Sequence, residues 1–236
     1  AIATLAEMFP HRVDLAIGSG QALNEHITGQ PWPSKQRRNE LLEESAHIIK
    51  ALWNGEKVSR RGLVPVEQAY LWSRPEIPPR LFGAAVTDGT AQQVSAWADG
   101  LLTTSRPYDE SVRIIKLFRS SDRDRRPAVC KIGLGYARAS QEETLRQCHE
   151  QWRNACFANH VLTEVRTTED FDEIGRKVRP EDLTPALRIS SNLDDHLSWI
   201  RDDFRAGFDE VVVHNVGPQQ SEFIDDFGKY ILPQIR

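Results

Sequence analysis

Gly18-Ser19-Gly20 is the first place in this chain where residue type and spacing could do chemistry. The tripeptide follows the apolar run Val13 to Ile17 and precedes a helix-like segment, Gln21-Ala22-Leu23-Asn24-Glu25-His26. A strand, a glycine turn and a helix in that order present free backbone N–H groups to an anion, either a phosphate or a polarised ring carbonyl. The glycines let the backbone approach closely, because no Cβ intervenes. A plain tight turn is the other reading of the same tripeptide.

The elements that would position this turn are alternating strands and helices. Ala1 to Pro10 reads as a helix that ends before Pro10, since the residue preceding proline leaves the helical region. Val13 to Gly18 is the first strand. Ser34 to Trp53 reads as a helix, with Leu41, Leu42, Ala46 and Ile49 near helical spacing, and Asn54-Gly55 ends it. Lys57 to Arg60 and Gln68 to Trp72 pair as a small hairpin, and Pro75, Pro78 and Pro79 form a linker. Strands follow at Leu81 to Val86, Leu101 to Thr104, Ala128 to Gly135 and Val211 to Val216. Helices are expected at Ala91 to Trp97, Tyr108 to Phe118, Gln141 to Phe157 (capped by Ser140), Asp194 to Ala206 (capped by Asn192) and Gln219 to Ile231. Ala158 to Pro185 is irregular with at least one short helix, and Leu187 to Ser190 is extended.

Apolar strands alternating with amphipathic helices imply a parallel sheet with helices outside it. The order predicts a (β/α)₈ TIM barrel as one domain over residues 1–236. Five core strands are counted and the chain opens on a helix, so the expectation is a barrel entered part-way, with about three N-terminal βα units absent.

The chain has 236 residues, 39% hydrophobic and 27% charged, as expected of a soluble globular protein able to bury a core. A net charge of −4 offers no electrostatic case for nucleic acid or an acidic membrane surface. No apolar run approaches the roughly 20 residues needed to span a bilayer, and the opening residues do not read as a signal peptide. Cys130, Cys148 and Cys156 form neither a CxxC nor an even set, which predicts reduced thiols and a cytoplasmic protein. Cys148 and Cys156 are expected on one helix. Ser120 to Pro127, where Arg123 to Arg126 alternate with Asp122 and Asp124, reads as a solvated loop. His149 and His160 lack partner carboxylates at ligand spacing, so no metal site is expected.

The string Ala6 to His26 (AEMFPHRVDLAIGSGQALNEH) resembles the luciferase-like monooxygenase superfamily. Within it, the deazaflavin-dependent oxidoreductases typified by the F420-dependent glucose-6-phosphate dehydrogenases are the most similar branch. Trp32-Pro33, Arg37 with its helix, Leu52-Trp53 with Gly55, Ser73-Arg74-Pro75-Glu76, Ala98-Asp99-Gly100 and the stretch from Gly207-Phe208 to His214 carry the resemblance along the chain. It begins at the family's fourth barrel strand.

The resemblance implies that Gly18, Ser19 and Gly20 bind FMN or coenzyme F420 from the backbone, with Ala22 and Asn24 beside them. It also implies that Val86, Thr87, Gly89 and Thr90 hold the cofactor phosphate. Asp88 would repel a phosphate unless it points away, and helix capping is its other reading. Val86-Thr87 departs from the family's Gly-Gly or Ser-Gly. The branch's proton-transferring glutamate is Gln21 here, and a neutral amide cannot deliver a proton at pH 7. Gln21 can still hydrogen-bond a ring oxygen. Glu25, one helical turn on, is a substitute carboxylate or a solvated helix residue. His214 reaches toward the pocket or is structural. Trp32 is an aromatic lid or simple loop packing. The branch's basic sugar-phosphate positions fall near Pro107, Pro185 and Ser221, none of them basic, although Arg106 and Arg188 lie nearby.

Two readings follow. One is a flavin- or deazaflavin-dependent oxidoreductase acting on a small molecule by hydride transfer or monooxygenation, with the ring type open. The other is a degenerate, non-catalytic barrel. Because the expected barrel leaves apolar flanks exposed, a homo-oligomer is expected.

Overall fold

The computed structural model describes residues 1–120, 126–184 and 186–235. In chain order the elements are α1 (Ile2–Met8), β1 (Leu15–Ile17), α2 (Ala22–Glu25), α3 (Lys35–Trp53), β2 (Val58–Arg60), β3 (Val66–Ala69), β4 (Leu81–Ala84) and α4 (Asp88–Val94). Then come β5 (Gly100–Thr104), α5 (Tyr108–Phe118), β6 (Ala128–Gly135), α6 (Gln141–Trp152), α7 (Asn159–Glu164), α8 (Thr168–Gly175), β7 (Arg188–Ile189), α9 (Leu193–Ala206), β8 (Glu210–Asn215) and α10 (Gln220–Asp226). The chain groups into two compact units that interleave in sequence. The first holds Ala1–Gly20, Trp32–Thr103 and Val112–Val129; the second holds Gln21–Pro31, Thr104–Ser111 and residues from Cys130 onward.

In the first unit β1 pairs in parallel with β4, Leu15 opposite Leu81 and Ile17 opposite Gly83. β4 in turn pairs in parallel with β5, Phe82 opposite Gly100 and Ala84 opposite Leu102. Leu81, Phe82 and Gly83 are all buried, as a parallel strand covered on both faces requires. Leu81, Leu101, Ile114 and Phe118 are fully buried, and each such side chain contributes roughly 1.5–3 kcal/mol on removal from water. Asp99 fixes where β4 begins: its Oδ2 accepts from the Leu81 N–H at 2.9 Å, and its Oδ1 lies 2.5 Å from Lys50 Nζ on α3. Asp14 and Arg80 pair at the entrance to β1 and β4, with Nη2 to Oδ2 at 2.5 Å. β2 and β3 form an antiparallel hairpin as expected, but its second strand is Val66–Ala69 and not Gln68 to Trp72.

In the second unit β6 pairs in parallel with β7, Leu134 opposite Arg188 and Gly135 opposite Ile189, and β8 also pairs with β6. Cys148, Val178, Leu183, Leu187, Ile189 and Val216 make its core. Gly135 is a close approach: a Cβ there would lie 2.0 Å from Cys148 Sγ. Tyr136 anchors the strand end. Its hydroxyl donates to Asp226 at 2.5 Å, Arg138 donates to both Asp226 oxygens, and Asn215 Oδ1 accepts from the Tyr136 N–H at 3.0 Å.

Helix boundaries follow the caps. Ser34, Thr87, Ser140 and Asn192 each accept a backbone N–H at an N-terminus, and Gly207, at φ 110°, ends α9. Several expectations are corrected. β7, expected only as an extended stretch, is a paired strand and was missing from the count of five. α4 starts at Asp88 and not at Ala91, because Thr87 caps it. α6 ends at Trp152 and gives way to a 3₁₀ turn, so Cys148 and Cys156 do not share a helix. The closing helix continues past Asp226 as a π-helical turn, Phe227–Ile231.

Arg126, expected in a solvated loop, is buried. Its Nη1 donates to the Ser95 and Ala98 carbonyls at 2.6 and 3.0 Å, and its Nη2 donates to the Phe118 carbonyl at 2.6 Å. Carbonyls at the ends of α4 and α5 have no helical partner, and a guanidinium satisfies them. Asp122, Arg123, Asp124 and Arg125 lie outside the described residues, as does Pro185.

Candidate functional site

The two turns expected to hold a cofactor follow β1 and β4, adjacent parallel strands of the first unit. They therefore open at the same end of the sheet, where α/β sheets bind ligands. Gly18 sits where a Cβ would lie 3.3 Å from Ala84 Cβ. Gly20 adopts φ 75°, a left-handed conformation that a side chain disfavours, and it is exposed. Ser19 Oγ accepts a hydrogen bond from Lys35 Nζ at 2.8 Å. Lys35 was not foreseen as part of the site. It lies sixteen residues on, and the sequence shows it only as a residue at the start of a helix.

At the second turn Thr87 caps α4. Its Oγ1 accepts from the Thr90 N–H at 3.3 Å and lies 2.9 Å from Thr90 Oγ1. The Thr90 N–H is thus spent on the cap, while those of Asp88 and Gly89 precede any helical acceptor. A Cβ at Gly89 would meet nothing within 4 Å, so the turn faces open space. Asp88 does not act as the cap. Its Oδ2 pairs with Arg113 Nε at 2.7 Å, which offsets the charge that would repel a phosphate. Val86 lies between the strand end and the cap. Trp32 packs in its loop under the Arg38 guanidinium, 4.3 Å from the ring centroid, and Arg38 also donates to the Pro33 carbonyl at 2.7 Å.

The remaining site residues belong to the second unit. Gln21 is the N-cap position of α2. Its side chain makes no capping bond, it is exposed, and its carbonyl accepts from the Asn24 and Glu25 N–H groups, both at 3.1 Å. Asn24 and Glu25 are exposed. Ala22 is fully buried, so its methyl group is core and only its backbone has anything to offer a ligand. His214 lies on β8, exposed, with its ring edge-on to Trp152 at 5.2 Å. Trp152 occupies the space over Gly133, where a Cβ would come within 2.6 Å of its ring. Arg188 does not serve as a neighbouring sugar-phosphate cation. It is locked to buried Asp203 at 2.5 and 2.8 Å. His149 Nε2 lies 2.7 Å from the Val178 carbonyl.

A family model described as "Luciferase-like monooxygenase" matches residues 1–210. The chain belongs to this family. This luciferase-like chain is 27% identical over 244 residues to an F420-dependent glucose-6-phosphate dehydrogenase of Microbacterium testaceum, covering 99% of the chain and 72% of that protein. Among solved structures it is similar to an F420-dependent secondary alcohol dehydrogenase in complex with an F420–acetone adduct. The TM-score is 0.88 at 20% identity, covering 100% of this chain and 73% of the other. It is also similar to the oxygenating constituent of 3,6-diketocamphane monooxygenase from Pseudomonas putida in complex with FMN. There the TM-score is 0.66 at 16% identity, with 100% and 74% covered. These likenesses bear out the luciferase-like α/β fold of this family member.

Proposed function

We propose that this chain binds FMN or coenzyme F420 at Gly18–Gly20 and at the Thr87-capped turn, and acts as an oxidoreductase on a small molecule. One observation carries the reading. Two turns end adjacent parallel strands, one with a left-handed, exposed Gly20 and one with open space over Gly89. The donors present suit such a group: peptide N–H groups at both turns and the Ser19 hydroxyl. When bound, the ring would supply hydride transfer or, as FMN, oxygen chemistry.

The chain's own residues would bind and orient. The Asp88 and Gly89 N–H groups would hold the phosphate, with Arg113 offsetting the Asp88 carboxylate. Gln21 would donate an amide N–H to a ring oxygen and move no proton. Glu25 and His214 are the proposed proton-handling groups toward substrate. The substrate differs from glucose 6-phosphate, since Pro107 and Ser221 are not basic and Arg188 is engaged by Asp203. Gln21 in place of a carboxylate favours a second reading, a cofactor-binding barrel without turnover.

The test is the absorbance spectrum and mass of the molecule that copurifies with the protein, followed by titration of the stripped protein with FMN and with F420. A flavin or deazaflavin band with saturable binding supports the reading. Absence of binding to both overturns it.

A further inference from the structure

The first turn of α3 carries its charges the wrong way round. A helix N-terminus is the positive end of the macrodipole, and acidic side chains stabilise it. Here the first turn has no acidic residue but holds Lys35, Arg37 and Arg38. Arg37 finds Glu40 at 3.5 Å, and Arg38 is buried against Trp32 and the Pro33 carbonyl. Lys35 points instead to Ser19, in the middle of the glycine turn. Lys35 is exposed, and desolvation and the Arg38 guanidinium pull its pKa below its ordinary value. Rules of local electrostatics are broken most often where a ligand compensates.

The hydrogen-bond inventory makes the consequence specific. An ammonium has donors only, so Ser19 Oγ must be the acceptor in this contact. The serine's one proton is therefore left to donate elsewhere. Lys35 takes one of the hydroxyl's two lone pairs and turns its O–H away from the cation, so the proton is oriented and polarised for donation by a charge 2.8 Å from its oxygen.

We propose that Lys35 is a positioning residue that orients the Ser19 hydroxyl to donate a hydrogen bond to a carbonyl oxygen of the ring bound at this turn. The inference rests on the cofactor reading of Gly18–Gly20. The ligand chemistry it selects is an acceptor-only ring edge, and Lys35 acts through Ser19.

A double-mutant cycle tests this, using the dissociation constants of the stripped protein for FMN and F420. Ser19→Ala and Lys35→Met should each weaken the cofactor that the wild-type chain binds by about three- to tenfold, the worth of one hydrogen bond. The double variant should be no weaker than the worse single one. Lys35→Arg should restore affinity. Both single variants should shift the absorption maximum of the bound ring, which a merely structural role would leave in place, and melting temperatures should stay unchanged. Additive losses, or unshifted spectra in a wild-type chain that binds, overturn the role of Lys35 and leave the cofactor reading standing. A wild-type chain that binds neither probe overturns both.

Discussion

The Arg126 guanidinium lies 4.2 Å from the centroid of the Phe118 ring while donating to the carbonyl of the same residue at 2.6 Å. One side chain thus covers the ring and closes the end of α5, and its other nitrogen does the same for α4 through Ser95 and Ala98.

Arg126→Met keeps the apolar stem but leaves three carbonyls without these donors. Each buried acceptor left unpaired costs about 1–3 kcal/mol. Partial relaxation brings the expected total to roughly 3 kcal/mol, a fall in Tm of about 6–12 °C for a chain of this size. Thermal denaturation of the variant checks it, and a change under about 2 °C would mean that water replaces the guanidinium.

Gly20→Leu places a side chain at φ 75° and over the proposed ring site. The backbone strain is on the order of 1–2 kcal/mol. Cofactor affinity should fall far more, by about a hundredfold or greater, equivalent to roughly 2.7 kcal/mol. Calorimetric titration with FMN and F420, beside a melting curve, separates the two effects. Unchanged affinity would make the turn purely structural.

Gln21→Glu restores a carboxylate immediately after the turn. F420-linked oxidation should appear or rise in this variant across a panel of small-molecule substrates. Stopped-flow absorbance of the cofactor reads the rate, and an inert variant that still binds F420 would show that something other than the missing carboxylate limits turnover.

Glucose 6-phosphate should not be oxidised with F420 by the unaltered chain. A sugar phosphate would find no cation at Pro107 or Ser221, and Arg188 is already bidentate to Asp203. Robust turnover in a steady-state assay would sink this prediction.

Acid should loosen the second unit through His196 before the carboxylates. Its ring is fully buried and its Nε2 donates to the Ser190 carbonyl at 2.8 Å, which fixes the neutral tautomer with Nδ1 unprotonated. Burial lowers its pKa below the ordinary 6.5. The unfolded chain therefore binds the proton first. Stability from the neutral ring is complete above pH 6.5 and is lost as pH falls toward the folded value. Asp226, lowered by the hydrogen bond from Arg138, contributes stability above its ordinary 3.8 and loses it only at lower pH. Tm measured from pH 7.5 to 5 should slope downward in the wild type and flatten in His196→Gln; equal slopes would clear His196 of the effect.

Much of the scaffold was legible because local rules decide it. α5 and β6 have the expected limits, since their amphipathic and apolar patterns run unbroken between clear stops. α3, expected over Ser34 to Trp53, runs Lys35–Trp53 because Ser34 caps it. β7 was not counted because two residues, one of them Arg188, carry no period, and Asp203 on α9 makes that arginine tolerable in a strand. Arg126 was misread for a related reason. A charged run is usually solvated, and nothing local reveals that three carbonyls wait for one of its members. The glycine turn was readable from order and composition, and the φ of Gly20 agrees with it. Lys35 was not, because its contact with Ser19 exists only after α3 has docked.

The fit of Cys148 against Gly135 turns the thiol into a clock. Its sulfur fills the space that any side chain at 135 would need, and burial raises its pKa to about 11. No electrophile can reach it while α6 rests on β6, and almost none of it is thiolate at neutral pH. Labelling of Cys148, followed by peptide mass, therefore counts openings of this helix from its strand. The rate of that modification reports how readily the second unit comes apart under native conditions, with no denaturant.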